Sequence, residues 1–372
     1  MTAAPFLKRQ NKTIVHVVGA RPNFMKVAPV MEALQGDARL RQVLVNTGQH
    51  YDESMAGSFL KELQLPTPDY DLGVGSASHA VQTAKVMMAF EEVCVAERPD
   101  LVLVVGDVNS TMAATLVAAK LVIPVAHLEA GLRSRDKYMP EEVNRIVTDR
   151  LADLLLTPSP DADANLRAEG TADERIHFVG NVMIDTLRRH LPIATLDRVR
   201  GRIPVGDRPY AVLTLHRPSN VDDRHTLGNI LAALRHVSAR MPVVFPVHPR
   251  TRNRLREFEL EDALAGTILT EPLGYIDFLA LTSHASLILT DSGGLQEEST
   301  ALGIPCLTLR ENTERPVTVT DGTNRVVGTR AEDIIAGVEE AFDSTAPRRI
   351  PALWDGHAAS RVAAVLTGFL FG

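Results

Sequence analysis

At 372 residues the chain exceeds what one hydrophobic core usually supports, which predicts two domains. Hydrophobic residues make up 45% and charged residues 23%, an ordinary globular balance, and a net charge of −7 argues against a nucleic-acid-binding surface. Cys94 and Cys306 stand far apart in apolar stretches with no zinc spacing around them, the opening MTAAPFLKRQNK has no signal-peptide run, and no segment approaches the roughly 18 apolar residues of a membrane span; a soluble cytoplasmic protein without a metal is the expectation.

Short β-branched runs alternate with longer helical stretches. Strands are predicted at 13–18, 42–46, 101–105, 125–128, 154–157 and 176–179, because these runs are apolar on both faces. Helices are predicted between them at 25–34, 53–63, 81–97, 111–121, 141–151 and 161–169. From 185 to 208 the pattern lapses and Pro192 and Pro204 punctuate it, which reads as an irregular linker. A second series follows, with strands at 210–215, 243–247, 268–269, 287–290, 306–309 and 325–327 and helices at 225–241, 275–283, 294–302, 331–342 and a final one over 357–371. The prediction is an α/β protein of two Rossmann-like, doubly wound domains facing across a cleft: residues 1–185, residues 186–355, and a last helix, 356–372, packing back on the first domain.

Doubly wound sheets bind ligands where their strands stop. The first strand runs into GARPNFMK, in which Gly19 allows close backbone approach and Arg21 and Lys26 add positive charge; a plain βα turn is an equal reading. The segment is no GxGxxG fingerprint, so a nicotinamide site is not predicted. Asp107 ends the next strong strand and suits either a functional acid or a helix N-cap. Glu129 follows the 125–128 strand beside a Gly turn, a place that packing explains poorly. In MPEEVNR, Pro140 suits a first helical turn, and Glu141 and Glu142 complement its dipole. Asp107, Glu129 and Glu141 arrive from successive strand ends and so form a candidate acid–base set.

In the second series, His216–Arg217 and His248–Pro249–Arg250 each close a strand, which favours an anion site. LILTDSGGLQEES gives the sharpest local signal: a buried strand stops and Ser292, Gly293 and Gly294 open a helix, a diphosphate cradle by its free amides and dipole, though also ordinary capping. Glu298 lies about a turn inside that helix, within reach of ribose hydroxyls, and Arg315 follows the next strand.

The segments GARPNFMKVAP, TGQHYD, GDVNST, HLEAGLRS, MPEEVNR, LTLHRPSN, PVHPRT, LTDSGGLQEES and ENTERP resemble, in order and over nearly the whole chain, the non-hydrolysing UDP-N-acetylglucosamine 2-epimerases. The resemblance implies a glycosyltransferase-B-like fold and inversion at carbon 2 of the sugar, by elimination of UDP to a 2-acetamidoglucal and re-addition, with no cofactor, no metal and a homodimeric enzyme. By motif position it implies Asp107, Glu129, Glu141 and His216 as catalytic residues. It places Arg21, His216, Ser292, Gly293 and Gly294 at the diphosphate, Glu298 at the ribose, Arg315 in the cleft and Phe278 at the uracil. Gln49, His50 and His248 match a site where some members bind a second UDP-sugar as activator. Asn23, where many members have Glu, and Tyr51–Asp52 depart from the pattern. A 2-epimerase of a modified UDP-sugar such as a 2,3-diacetamido uronate, a hydrolysing 2-epimerase and a glycosyltransferase are the competing expectations.

Overall fold

Strands that are apolar on both faces need helices on both sides, and that requirement organises the chain. The computed structural model describes residues 11–48, 67–206, 208–343 and 349–372. The chain divides into a first unit, Met1–Thr186 with His357–Gly372, and a second unit, Leu187–Gly356.

In the first unit the strands are β1 (Lys12–Val18), β2 (Leu40–Asn46), β3 (Tyr70–Asp71), β4 (Leu101–Val105), β5 (Val125–Leu128), β6 (Leu154–Thr157) and β7 (Ile176–Phe178). They pair in parallel in the order β3-β2-β1-β4-β5-β6-β7. The second unit holds β8 (Ala211–Thr214), β9 (Val243–Pro246), β10 (Thr267–Thr270), β11 (Leu287–Thr290), β12 (Cys306–Thr308) and β13 (Asn324–Val326), also parallel, in the order β10-β9-β8-β11-β12-β13. Both are doubly wound. Each sheet reverses its winding at one point, between β1 and β4 in the first and between β8 and β11 in the second, and such points open a crevice at the strands' carboxyl ends.

Three expectations change. The first helix begins at Arg21, not at residue 25, because Pro22 suits a first turn and Asn23 caps it. Residues 185–208 are not an irregular linker: Val182–His190, Leu191–Ile193 and Asp197–Arg200 are helical. Met183, Ile184 and Leu187 bury there, while the exposed Arg188 and Arg189 mask the apolar period. Pro249–Glu257 is a helix that the sequence hid, since only Thr251 and Leu255, four residues apart, face inward. The helix predicted at 53–63 lies outside the described residues.

The first unit is closed by the chain's last helix, Ala358–Phe371, which packs on the Arg21–Leu34 helix. His357 at its N-cap makes no side-chain cap bond. The carboxylate of Asp185 does so instead, accepting from the amides of Ala358 at 3.2 Å and Ala359 at 2.8 Å.

The core includes a buried histidine with no charged partner among the described residues. His16, in the middle of β1, is fully buried opposite Leu44 and Leu103. Burial, opposed in part by the Gln42 side chain, pushes its imidazole down to about 4. The unfolded chain therefore takes up a proton below pH ~6.5 that the native chain refuses until pH ~4, so stability falls across that window by about 3 kcal/mol. Denaturant unfolding at intervals over this range should show that acid loss in the parent and its absence in His16→Leu; equal pH slopes would sink the assignment.

Candidate active site

The β1 turn of the first unit is made by close approach. A Cβ on Gly19 would lie 2.4 Å from Ser110 Oγ and 2.8 Å from Thr47 Oγ1, and those two hydroxyls are 2.7 Å apart. Asn23 Oδ1 accepts from the amides of Gly19 at 3.1 Å and Ala20 at 3.0 Å, while its Nδ2 donates to Val105 O at 3.1 Å. This single amide side chain thus ties the end of β1 to the end of β4. Arg21 is half-buried at the helix's first position. Lys26 is buried in the second turn, and its ammonium pairs with Glu129.

The three predicted acids come from neighbouring elements. Asp107 Oδ2 accepts from Arg145 Nη2 at 2.5 Å. Arg145 also donates to Glu142 Oε2 at 2.7 Å, and Glu142 accepts from the amides of Ser134 and Arg135, each at 2.9 Å. Burial works against the Glu142 charge, but those amides and the Arg145 guanidinium outweigh it and hold the group below the usual carboxylate range. Glu142 is therefore a strut of the 134–135 loop. Its neighbour Glu141 is half-exposed in the first turn of Pro140–Leu151, on the same helical face as Arg145 one turn on.

Glu129 adopts a left-handed backbone, φ 73°, which side-chain-bearing residues avoid. Its amide donates to Leu156 O at 3.0 Å. The carboxylate oxygen Oε2 comes within 3.6 Å of where a Cβ on Gly106 would sit, and Gly106 directly precedes Asp107. Glu129 Oε2 thus stands beside the residue that precedes Asp107, where β4 and β5 end.

The second unit's switch point is built around Asp291, which is fully buried at the end of β11. Its Oδ2 accepts from the amides of His216 and Arg217, each at 2.9 Å, and its Oδ1 is 2.7 Å from His216 Nδ1. Burial opposes its ionisation, yet these donors keep the carboxyl below its usual range. The His216 ring is thereby fixed through Nδ1, leaving Nε2 for other work. The His248 ring lies 6.1 Å from it, centroid to centroid, and caps the Pro249–Glu257 helix by accepting from Arg250 N at 3.2 Å. Gln49 and His50 lie outside the described residues.

Ser292 is the N-cap of the Gly293–Leu302 helix and makes no side-chain cap bond. A Cβ on Gly293 would meet Arg315 Nη1 at 2.7 Å and Glu314 Oε1 at 3.1 Å, whereas Gly294 has open space around the same position. Arg315 bonds Glu314 at 2.7 Å and Glu297 at 2.8 Å, and Arg310 reaches Glu314 at 2.9 Å. Arg217 completes the group at 3.5 Å from Glu314. Three guanidiniums around two carboxylates leave an excess of positive charge beside the first-turn amides, an arrangement that suits an anion. Glu298 is buried and 3.2 Å from the Tyr275 hydroxyl. Burial pushes its carboxyl up to about 7, with the Tyr275 bond opposing and the Glu297 charge adding. Phe278 is half-buried on the Tyr275–Ser283 helix.

Arg145, Asp291, Arg310 and Glu314 escaped the sequence reading as candidate residues. Arg145 carried a signal, four residues after Glu141, and Asp291 stood beside Ser292 in the motif. Among the described residues no three His, Cys, Asp or Glu side chains gather as a metal site, and no helix is long and apolar enough to cross a membrane.

A family model described as UDP-N-acetylglucosamine 2-epimerase matches residues 32–367. The UDP-N-acetylglucosamine 2-epimerase of Methanocaldococcus jannaschii is 42% identical over 359 residues, 94% of this chain and 98% of that protein. The UDP-2,3-diacetamido-2,3-dideoxy-D-glucuronate 2-epimerase of Pseudomonas aeruginosa is 38% identical over 359 residues, 95% of this chain and 99% of the relative. The crystal structure of the M. jannaschii enzyme in complex with UDP-GlcNAc and UDP superposes with a TM-score of 0.88 at 41% identity, covering 96% of this chain and 99% of that one. The Neisseria meningitidis enzyme bound to UDP-GlcNAc gives 0.87 at 30% identity, with 96% and 100% covered.

The two glycines of the anion turn should respond differently to a methyl group. Gly293→Ala must displace a buried, doubly paired guanidinium and is expected to cost about 1–3 kcal/mol. Gly294→Ala meets nothing and should stay within about 1 kcal/mol of the parent. Urea unfolding of both variants checks this, and equal costs would contradict the close approach at Gly293.

Proposed function

We propose that this chain, which belongs to the UDP-N-acetylglucosamine 2-epimerase family, interconverts UDP-N-acetylglucosamine and UDP-N-acetylmannosamine. A carboxylate removes the proton at carbon 2. The electron pair forms the C1=C2 double bond as the C1–O bond to UDP breaks, leaving 2-acetamidoglucal and UDP. UDP then re-adds at carbon 1 while a carboxylic acid returns a proton to the opposite face of carbon 2. Leaving-group departure makes carbon 2 labile, so the cycle consumes no oxidant.

The observation that supports this reading is the placement of Asp107 and Glu129 at adjoining strand ends, with Glu129 Oε2 beside the Gly106 that precedes Asp107. Two carboxyl groups placed at adjoining strand ends can supply an acid and a base from one kind of group. Glu141 joins them in this reading. In the second unit His216, held by Asp291, binds the diphosphate with the Ser292–Gly294 turn and Arg315; Glu298 takes the ribose hydroxyls and Phe278 the uracil. Lys26 serves through Glu129 in place of touching the substrate. A cytoplasmic location belongs to the reading and is supported by two buried free thiols, Cys94 and Cys306. The P. aeruginosa relative supports a second reading, in which the sugar is a 2,3-diacetamido uronate.

Following UDP-N-acetylglucosamine by NMR tests the proposal: UDP-N-acetylmannosamine must accumulate to an equilibrium mixture. Turnover of the diacetamido uronate alone would transfer the assignment to the second reading. Asp107→Asn and Glu129→Gln should each lower kcat by about 10²–10⁴-fold with UDP affinity unchanged. Affinity for UDP should itself depend on pH through Glu298. Ribose hydroxyls donate to the ionised carboxylate, so the complex lowers a group that sits at about 7 in the free protein. Binding is then full above about pH 7 and weakens up to about tenfold per unit below it. Calorimetric titration between about pH 8 and about pH 6 should show that slope in the parent and its loss in Glu298→Gln.

A further inference from the structure

We infer that Asp149, which touches no substrate in the reading above, is the positioning residue that fixes both strand-end acids. The inference rests on that reading for its kinetic consequence and on geometry for its substance. Asp149 lies in the Pro140–Leu151 helix with its side chain 2% exposed. One carboxylate oxygen is 2.6 Å from His127 Nδ1. The other accepts from Gly131 N at 3.1 Å and from Arg133 Nη1 at 2.7 Å. His127 is fully buried, and its Nε2 is 2.8 Å from Gly106 O. A carbonyl only accepts, so Nε2 is a donor and the ring links Asp149 to the backbone at the end of β4.

Asp149 therefore holds two turns at once. Gly106 precedes Asp107, and Gly131 follows Glu129 by two residues. Both turns run through left-handed backbone, with φ of 65° at Gly106, 73° at Glu129 and 81° at Gly131. Glu129 carries a side chain in a conformation that such residues avoid, so something must hold it there. The Leu156 carbonyl takes its amide, and Asp149 takes the amide two residues on. Burial disfavours the Asp149 charge, yet His127 and Arg133 keep the group below the usual carboxylate range. Arg133 is in turn held from its outer side by both oxygens of Glu169, at 2.8 and 2.7 Å. Asp149→Asn leaves one acceptor oxygen where the carboxylate offers two and removes the charge that Arg133 pairs with, which weakens the hold on the turns.

Displacing an acid by about 1 Å costs on the order of 10²-fold in rate without touching the groups that grip the nucleotide. Asp149→Asn is therefore expected to lose about 10²-fold in kcat while KM and the Kd for UDP stay within about threefold. His127→Gln should lose part of that rate, and Glu169→Gln, which contacts neither turn, should keep the parental kcat. Amide hydrogen exchange at Gly106, Glu129 and Gly131 should quicken in Asp149→Asn and not in Glu169→Gln. A folded Asp149→Asn with parental kcat, or with kcat and UDP affinity falling together, overturns the inference. If that variant does not fold, parental kcat in His127→Gln overturns it. Should the parent fail to turn over UDP-N-acetylglucosamine, the functional reading falls and the exchange experiment still decides the role of Asp149.

Discussion

Burying an ionised carboxylate is costly unless donors surround it, and this protein buries several where its strands end. Each is met by a cation, a ring N–H or backbone amides: Glu129 by Lys26, Asp149 by His127 and Arg133, Asp291 by His216, Glu314 by Arg310 and Arg315, and the part-exposed Asp107 is paired in the same way with Arg145. Those pairings shape the turns. A strand that stops in a parallel sheet leaves its last backbone groups without a ladder, and a buried acid collects the loose amides while its partner anchors it to the next element. Breaking one pair leaves an uncompensated buried charge, so the framework resists change most where chemistry is placed.

The two units apply the same topology with opposite sign. In the first, the strand ends near the switch point gather carboxylates, and the cations beside them are held by those acids, Arg145 and Arg133 by two each. In the second, guanidiniums outnumber the carboxylates they touch, and glycines bare the first-turn amides of a helix. Acidic ends suit proton traffic and basic ends suit phosphate, so the proposed division of labour follows from charge before any detail of the sugar.

Much of this was legible in the sequence for a local reason. Residues 101–105, 125–128, 154–157 and 287–290 are apolar on both faces, and the structure makes strands of those same residues. The acids and glycines that follow such runs were equally visible. What stayed hidden was pairing at a distance. Lys26 and Glu129 are 103 residues apart, His216 and Asp291 are 75 apart, and Arg145 and Asp107 are 38 apart. Only the winding order of the sheets brings them together, and no periodicity encodes it. Asp149 is the extreme instance, since on its helix it reads as one more polar residue near a C-terminus. Polar helices were hidden too: Pro249–Glu257 shows almost no apolar stripe, and the two-residue strand Tyr70–Asp71 is too short to leave a pattern.

The helix capped by Asp185 has a consequence for how the chain is made. It completes the first unit, yet 170 residues of the second unit, Leu187–Gly356, are translated before it. On the ribosome the second unit has its whole sequence available while the first still lacks a helix that covers Arg21–Leu34. Biogenesis therefore runs against the order of the gene: the half synthesised earlier is completed after the other, and its apolar flank stays in need of shelter until Ala358–Phe371 emerges.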